Sequence, residues 1–598
     1  MVRRILGISA FFHDSSAAIV VDGEIIAAVQ EERFIRVKNT AVFPANSIKY
    51  CLDEAKLNIN DVDGIIFFDK PFLKFERILE THYKNAPNGW LSFIKSMPSW
   101  SDKKLFLRRT LKKELKASFS DFDKKTMIHF SSHHYSHAAS AFFPSPFEES
   151  AVLVCDAVGE WATTSILMGK KGKIKPLQEM HFPDSVGLLY SSFTYFLGFK
   201  VMEGEYKLMG LSPYGDKHSA QTQNYIQKTL DHLVCVNSDG SISINQDYFT
   251  YEVGLRMISD QKWERLFNIK KRTKDEPIRQ EHCNLALAIQ LVTEDILLRM
   301  AKTAKEITES ENLCLAGGVA LNCVVNGKLQ EKNIFKNIWV QPAAGDAGGA
   351  LGAALGLYYS KNERTYHDEK MKKAFLGPNN TKEETLDFIA STDEKTISFE
   401  SEEERNVFIV NQLKEGKIIG WVQGRLEFGP RALGGRSILA LPSIANMQNQ
   451  LNLAVKFRED FRPFAPVMLK KEASKYFDCD HSARYMQFVH KLKPEFRIQR
   501  PENYSKLSLK EKLRSPRSKF QAITHVNYSS RIQIVDEEDH PLYSLLSKVR
   551  EVTGDGILVN TSFNRSGEPI VNTIKEAYDC FINTKISTLV LGNHVILK

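Results

Sequence analysis

MVRRILGISAFFHDSSAAIVVDGEIIAAVQEERF, residues 1–34, decides the fold. The apolar run RILGISA ends in the polar loop FFHDSS, and two further runs, AAIVV and EIIAAVQEER, flank Asp22-Gly23. Asp-Gly between two β-rich runs predicts a two-residue hairpin of type I′. Two arginines ahead of a short apolar stretch imitate a secretion signal, but His13 and Asp14 interrupt it too early. The stretch therefore reads as a first strand and a polar loop. A looser copy follows between residues 150 and 180: SAVLVCD, AVGEW, ATTSILMG, KKGK and IKPLQEM. In each copy an apolar strand runs into an acid-containing loop and a strand returns, the pattern of a duplicated α/β domain.

Outward from these copies, residues 44–140 read as mostly helical. CNLALAIQLVTEDILLRMAKTAKEI predicts a long helix, and NLCLAGG a strand that turns into the helix of VALNCVVNGKLQ. NIWVQ and then PAAGDAGGALGAALGLYY read as a strand, a Gly-rich loop and a small-residue helix, suited to close backbone approach to a ligand. Residues 360–405 turn polar and charged, which places a domain over 1–375, a linker over 376–404 and a second domain over 405–598. Two facing β-loop-β units are also how the actin-like ATPase fold grips the phosphates of a nucleotide.

Composition narrows the class. With 43% hydrophobic and 25% charged residues the chain can bury large cores, and no run approaches the ~20 apolar residues a membrane span needs. Eight scattered cysteines without a CxxC pair argue against a zinc ribbon or disulfide framework, and for reduced thiols in a cytoplasm. A formal charge of +8 suits an enzyme handling anionic small molecules. The basic run DKKLFLRRTLKKELKASF, 102–119, carries apolar residues at helical spacing and reads as a solvated amphipathic helix. Neither a nucleic-acid nor a membrane partner is expected, and a homodimer is left open.

The candidate chemistry lies in five places. His133 and His137, four apart in HHYSHAASA, would face the same way on a helix and could share a metal. A hydrogen-bonded histidine pair would give the same spacing, so HxxxH alone does not decide. Asp156, ending AVLVCD, and Asp346, in PAAGDAGG, are candidate further ligands; such a set suits divalent iron, zinc or manganese over calcium or magnesium. His13, with Asp14 beside it, could serve as a general base. Gly317, Gly318 and Asn322 follow a strand and open a helix, where glycine lets the backbone approach a nucleotide. The C-terminal part sets Arg431 and Arg436 among glycines in GPRALGGRS, then Lys456, Arg458 and Arg462 in KFREDFRPFAP, Arg531, and Thr561-Ser562 in NTSFN. Arginine forks, a lysine and hydroxyls among Gly and Pro predict an oligophosphate site that is not a P-loop.

Together these motifs resemble the O-carbamoyltransferases of nodulation-factor and antibiotic biosynthesis, in order and over essentially the whole chain. The match runs from HDSSAA and EERF through HHxxHAxSA, EYKLMGLSPYG, GGVALN and GDAGGALGAA to GPRALGGRS, KFREDFRPFAP and NTSFN. The resemblance implies an N-terminal actin-like (TsaD-like) domain and a C-terminal YrdC-like α/β domain. It implies that the latter joins carbamoyl phosphate to ATP as carbamoyl-adenylate, with release of pyrophosphate and magnesium accompanying the ATP. The former then moves the carbamoyl group to a hydroxyl of a small-molecule acceptor, releasing AMP, with a bound divalent metal, iron(II) first and zinc or manganese next. It assigns the metal to His133, His137, Asp156 and Asp346, and activation of the acceptor to His13. Gly317, Gly318 and Asn322 match a nucleotide-binding stretch. Arg431, Lys456, Arg531 and Ser562 match carbamoyl phosphate and ATP contacts. Carbamoyl transfer to a macromolecule and a catalytically silent nucleotide sensor are the competing readings.

Overall fold

Asp22 and Gly23 both adopt positive φ, 51° and 85°, as a type I′ turn requires. They join the strands Ser16–Val21 and Glu24–Gln30, and Arg4–Ser9 pairs antiparallel with the first of them. Gly64–Phe67 and Ile128–Phe130 extend the same sheet in parallel. In chain order the strands lie 3-2-1-4-5 across the sheet. The second copy repeats this. Glu149–Cys155, Ala162–Lys170 and Lys173–His181 form the antiparallel triplet, turned at Lys171 and Gly172 (φ 49° and 71°). Asn312–Ala316 and Asn337–Val340 add the parallel pair in the same order. This doubled topology is the duplicated actin-like ATPase fold.

The computed structural model describes residues 3–99, 105–364, 371, 373–456, 458–479, 483–504 and 507–598. The chain divides into Met1–Glu31 with Asn39–Lys372, and Glu32–Lys38 with Lys373–Lys598. Among the described residues no helix is long and apolar enough to cross a membrane.

One expectation is refined and one corrected. Residues 44–140 are mostly helical as expected, with two short strands that the helical reading missed. GIIF and IHF are four and three residues long, too short for periodicity to distinguish a buried strand from a helix turn. Residues 376–404 are also not a linker. Phe375–Asn379 pairs with Arg425–Glu427, Lys382–Ser391 is a helix with a Thr381–Glu384 capping box, and Lys395–Ser398 pairs with His594–Leu597. Lys395–Ser398 is the edge strand of an eight-stranded mixed sheet. An edge strand and a surface helix bury few side chains, so their composition imitates a linker. Of the basic run, residues 107–118 form the expected helix, burying Leu107, Leu111 and Leu115; positions 102–104 lie outside the described residues.

One close approach sets the geometry of the N-terminal unit. The Ala347–Tyr359 helix is buried nearly all round, as its small, apolar composition predicts. A Cβ on Gly352 would sit 1.8 Å from the carbonyl oxygen of Ser136 in the His133–Phe142 helix. A Cβ on Gly7, in the first strand, would sit 1.9 Å from the carbonyl oxygen of Ala350. No side chain fits at either point, so helix, helix and strand lie backbone to backbone. Gly352→Ala should cost about 1–3 kcal/mol of stability, read as a lowered melting temperature. Gly345→Ala, whose Cβ would meet nothing within 4 Å, should leave the melting temperature unchanged.

Candidate metal centre and phosphate site

The His133–Phe142 helix begins three residues after the Ile128–Phe130 strand. Its first N–H needs a partner from outside the helix. Glu160, in the loop of the second copy, accepts from the His133 N–H at 2.9 Å and from the Lys70 N–H at 2.9 Å. This buried carboxylate fixes where the helix starts and places a negative charge at its positive end.

From that helix the two imidazoles project together. His133 Nε2 and His137 Nε2 are 3.1 Å apart, and each lies 3.1 Å from Asp156 Oδ2. Asp346 Oδ1, at the N-cap of the small-residue helix, is 3.6 Å from the first and 3.5 Å from the second. The four ligand atoms all lie within 4.8 Å of one another. A metal bonded to such atoms at ~2.1 Å with angles between 90° and tetrahedral separates them by ~3.0–3.4 Å. Two imidazoles and two carboxylates, buried and converging at about this spacing, therefore fit a divalent transition metal.

The surroundings support the ligands. Asp69 Oδ1 lies 2.8 Å from His133 Nδ1 and thereby orients the ring for bonding through Nε2. Asp69 is fully buried, which would raise its pKa, yet the Lys74 ammonium at 2.5 Å and His133 hold it lowered. Burial likewise opposes charge on His133, but Asp69, Asp346 and Asp156 raise it well above the usual histidine range. The charges of the cluster are thus balanced within it. His13 approaches from the first loop, its Nε2 3.5 Å from Asp346 Oδ2 and its Nδ1 3.1 Å from Asp14 Oδ2. Burial lowers its affinity for a proton, but Asp346 and Asp14 outweigh this and raise its pKa to about 9. Phe11 and Asp14 adopt φ of 72° and 53°, a conformation kept where the surroundings impose it.

Gly317, at φ 88°, passes so close to the strand of Asp156 that a Cβ would meet the Cys155 carbonyl oxygen at 2.3 Å. The Gly318 N–H donates to Asp156 Oδ1 at 3.3 Å. Asn322 is engaged structurally, its side chain accepting from the Val325 N–H at 3.2 Å as the cap of the Cys323–Glu331 helix.

In the C-terminal unit the structure brings Lys456 and Ser562 together. Lys456 is buried, and its ammonium donates to the Ser562 carbonyl, to Ser562 Oγ at 3.1 Å, and to the Asn564 carbonyl and Oδ1 at 3.1 and 2.7 Å. Burial, with Arg458 and Arg462 nearby, depresses its pKa well below the lysine range. Arg458 Nε donates to Asn452 Oδ1 at 2.8 Å and its guanidinium covers Phe464, while Arg462 lies 3.7 Å from Glu459. Thr561 and Ser562 end the Ile557–Ser562 strand, Arg531 pairs with Val489, and Arg431 is half-buried. Arg436 requires a correction: it is fully buried and its guanidinium donates to carbonyl oxygens of Asn572, Gly424 and Gly435. Glu427 Oε1 accepts the N–H groups of Leu433, Gly434, Gly435 and Arg436 at 2.7–3.2 Å. The glycine loop is therefore wrapped on an internal carboxylate that occupies these amides.

Asp69, Lys74, Glu160 and Glu427 escaped the sequence reading. Asp69 had a signal, because it ends GIIFFD just as Asp156 ends AVLVCD. Glu160 had none, since its partners His133 and Lys70 lie far away in sequence.

Residues 4–355 match the family described as Carbamoyltransferase N-terminus, and residues 410–598 match Carbamoyltransferase C-terminus. The chain belongs to the carbamoyltransferase family. This carbamoyltransferase is 48% identical to an uncharacterized protein of Synechocystis sp. over 100% of its own length and 97% of the relative's. It is 35% identical to nodulation protein NolNO of Sinorhizobium fredii, over 99% of this chain and 80% of that one. It is 30% identical to 3'-hydroxymethylcephem-O-carbamoyltransferase of Streptomyces clavuligerus, over 53% and 54% of the two chains.

A divalent metal is expected to copurify with the protein, and His137→Ala should remove most of it, measured by inductively coupled plasma mass spectrometry. Asp69→Asn keeps all four ligands and should weaken metal affinity ~10–100-fold in a chelator competition. Full metal retention by both variants would overturn the site.

Proposed function

We propose that this carbamoyltransferase takes its carbamoyl group from carbamoyl phosphate with the help of ATP and delivers it to a hydroxyl of a small-molecule natural product. The observation that carries the reading is the convergence of His133, His137, Asp156 and Asp346 beside His13, in an actin-like unit of a carbamoyltransferase. The Streptomyces clavuligerus relative, whose name specifies O-carbamoylation of a hydroxymethylcephem, supports a hydroxyl acceptor.

The C-terminal unit, read as YrdC-like, makes the activated donor. Water cleaves carbamoyl phosphate to carbamate and phosphate. A carbamate oxygen then attacks the α-phosphorus of ATP, pyrophosphate leaves, and carbamoyl-adenylate forms. Lys456, buried and hydrogen-bonded to Ser562 and Asn564, is the group to meet an incoming phosphate, with Arg431, Arg458, Arg462 and Arg531 as further candidates and magnesium accompanying ATP. Exchanging phosphate for AMP adds a handle whose binding energy can position the reacting carbon.

In the N-terminal unit the acceptor hydroxyl oxygen attacks the carbamoyl carbon, its proton passes to His13 Nε2, and AMP departs. Asp14 steadies the His13 ring from Nδ1, and the close backbone at Gly317 and Gly318 suits the adenylate. A divalent ion held by His133, His137, Asp156 and Asp346, iron(II) first and zinc or manganese next, would supply Lewis acidity toward the carbamoyl or phosphate oxygens and neutralise the carboxylate that keeps His13 charged.

The two units divide the labour, so their variants should separate. His133→Ala should yield no carbamoylated product yet retain carbamoyl-phosphate-dependent pyrophosphate release. Lys456→Met should lower pyrophosphate release and product together, by ~100-fold or more. Loss of pyrophosphate release in His133→Ala would overturn the division.

A further inference from the structure

The N-terminal unit carries a groove of about 1190 Å³ that the chemistry above leaves unused. Its walls are the start of the Pro71–Asn85 helix, the Leu107–Ser118 helix and Phe130. Fifteen side chains line it: seven are lysine or arginine and eight are apolar, three of these phenylalanine. Serine, threonine, asparagine, glutamine and carboxylates are all missing from this lining. Phe72 and Phe106 are 66% and 58% exposed, a display of apolar surface that marks a binding face. Among the described residues no carboxylate pairs with Arg108, Arg109 or Lys113. Lys112 and Lys116 donate only to the carbonyl oxygens of Lys124 and Ser120. Among the described residues no carboxylate thus neutralises the positive charge of the rim.

The chemistry of this lining selects its ligand. Hydrocarbon satisfies the floor, and an anion satisfies the rim. A nucleobase needs neutral donors and acceptors at its edges, which the lining lacks. A bilayer surface is met by a helix with a free apolar face, whereas Leu107, Leu111 and Leu115 are at most 2% exposed. Two residues of the lining stand close in the chain to residues of the metal cluster. Lys70 follows Asp69, the residue that holds His133, and Phe130 lies three residues before His133.

We propose that this groove receives the acceptor, as a single-chain amphiphile that carries a phosphate or carboxylate. Its hydrocarbon lies on Phe72, Phe106 and Leu73, its anionic group meets the basic rim, and its hydroxyl extends toward the cluster. The proposal rests on the O-carbamoyl transfer reading for the identity of the occupant, and on the groove alone for its chemistry.

Titration calorimetry of the full chain with dodecyl phosphate, below its micellar concentration, tests it. Saturable binding is expected, weakened roughly tenfold or more by Phe72→Ser and by Lys112→Glu with Lys116→Glu, with the circular dichroism of each variant unchanged. Equal affinity for dodecyl maltoside, which has the same tail without the charge, would overturn the proposal. So would binding to phosphatidylglycerol vesicles without binding to monomeric dodecyl phosphate, or tighter binding of a single-stranded oligonucleotide. Acceptor-free pyrophosphate release reports on the proposed reaction separately. Its presence with no amphiphile binding sinks the groove alone, and its absence with amphiphile binding intact sinks the reaction alone.

Discussion

The N-terminal unit depends on one contact, the backbone of Gly352 lying against the carbonyl of Ser136. Two helices from the two copies of the duplicated fold meet there with no side chain between them. The His133–Phe142 helix belongs to the first copy and carries the imidazoles; the Ala347–Tyr359 helix follows the second and carries Asp346 at its N-cap. Their separation sets whether Asp346 reaches the histidines. An extra methyl group at the crossing would push apart four side chains whose polar atoms converge within 4.8 Å of one another. Glycine at 352 is therefore a condition of the site as much as of the fold.

Bringing these groups together buries several charges in one place. Isolated buried charges are costly, and only pairing and hydrogen bonding compensate them. Here Asp69 lies between Lys74 and His133, Asp156 between the two histidines, and Asp346 against His137 and His13. Positive and negative groups alternate through the cluster, which is why it can stay folded while poised for a cation. A divalent ion would take over the positive side of this balance, so loading it releases protons.

The C-terminal unit solves a related problem differently. Its glycine loop closes on Glu427 and its Arg436 closes on backbone carbonyls, so these parts of GPRALGGRS serve the scaffold. That leaves the buried Lys456 amine facing a hydroxyl and an amide oxygen. Arginines in Gly-rich sequence announce tight turns and anion binding alike, and only the direction of each guanidinium separates the two.

What the sequence by itself determined is local. The Asp22-Gly23 turn, the duplicated strand-loop-strand, the i, i+4 histidines and the small-residue helix follow from backbone preference and periodicity, and the actin-like fold follows from their repetition. Short strands such as GIIF and edge elements such as Lys395–Ser398 escaped because few residues and thin burial leave little pattern. Tertiary structure alone decided that Asp69 orients His133, that Glu160 caps a helix 27 residues away in sequence, that Asn322 and Arg436 serve the scaffold, and that a basic surface helix walls an apolar groove. Apart from the local cap of Asn322 on Val325, each of these is a pairing between groups distant along the chain. Such pairings depend on where the packed elements come to rest, which no single segment of the sequence encodes.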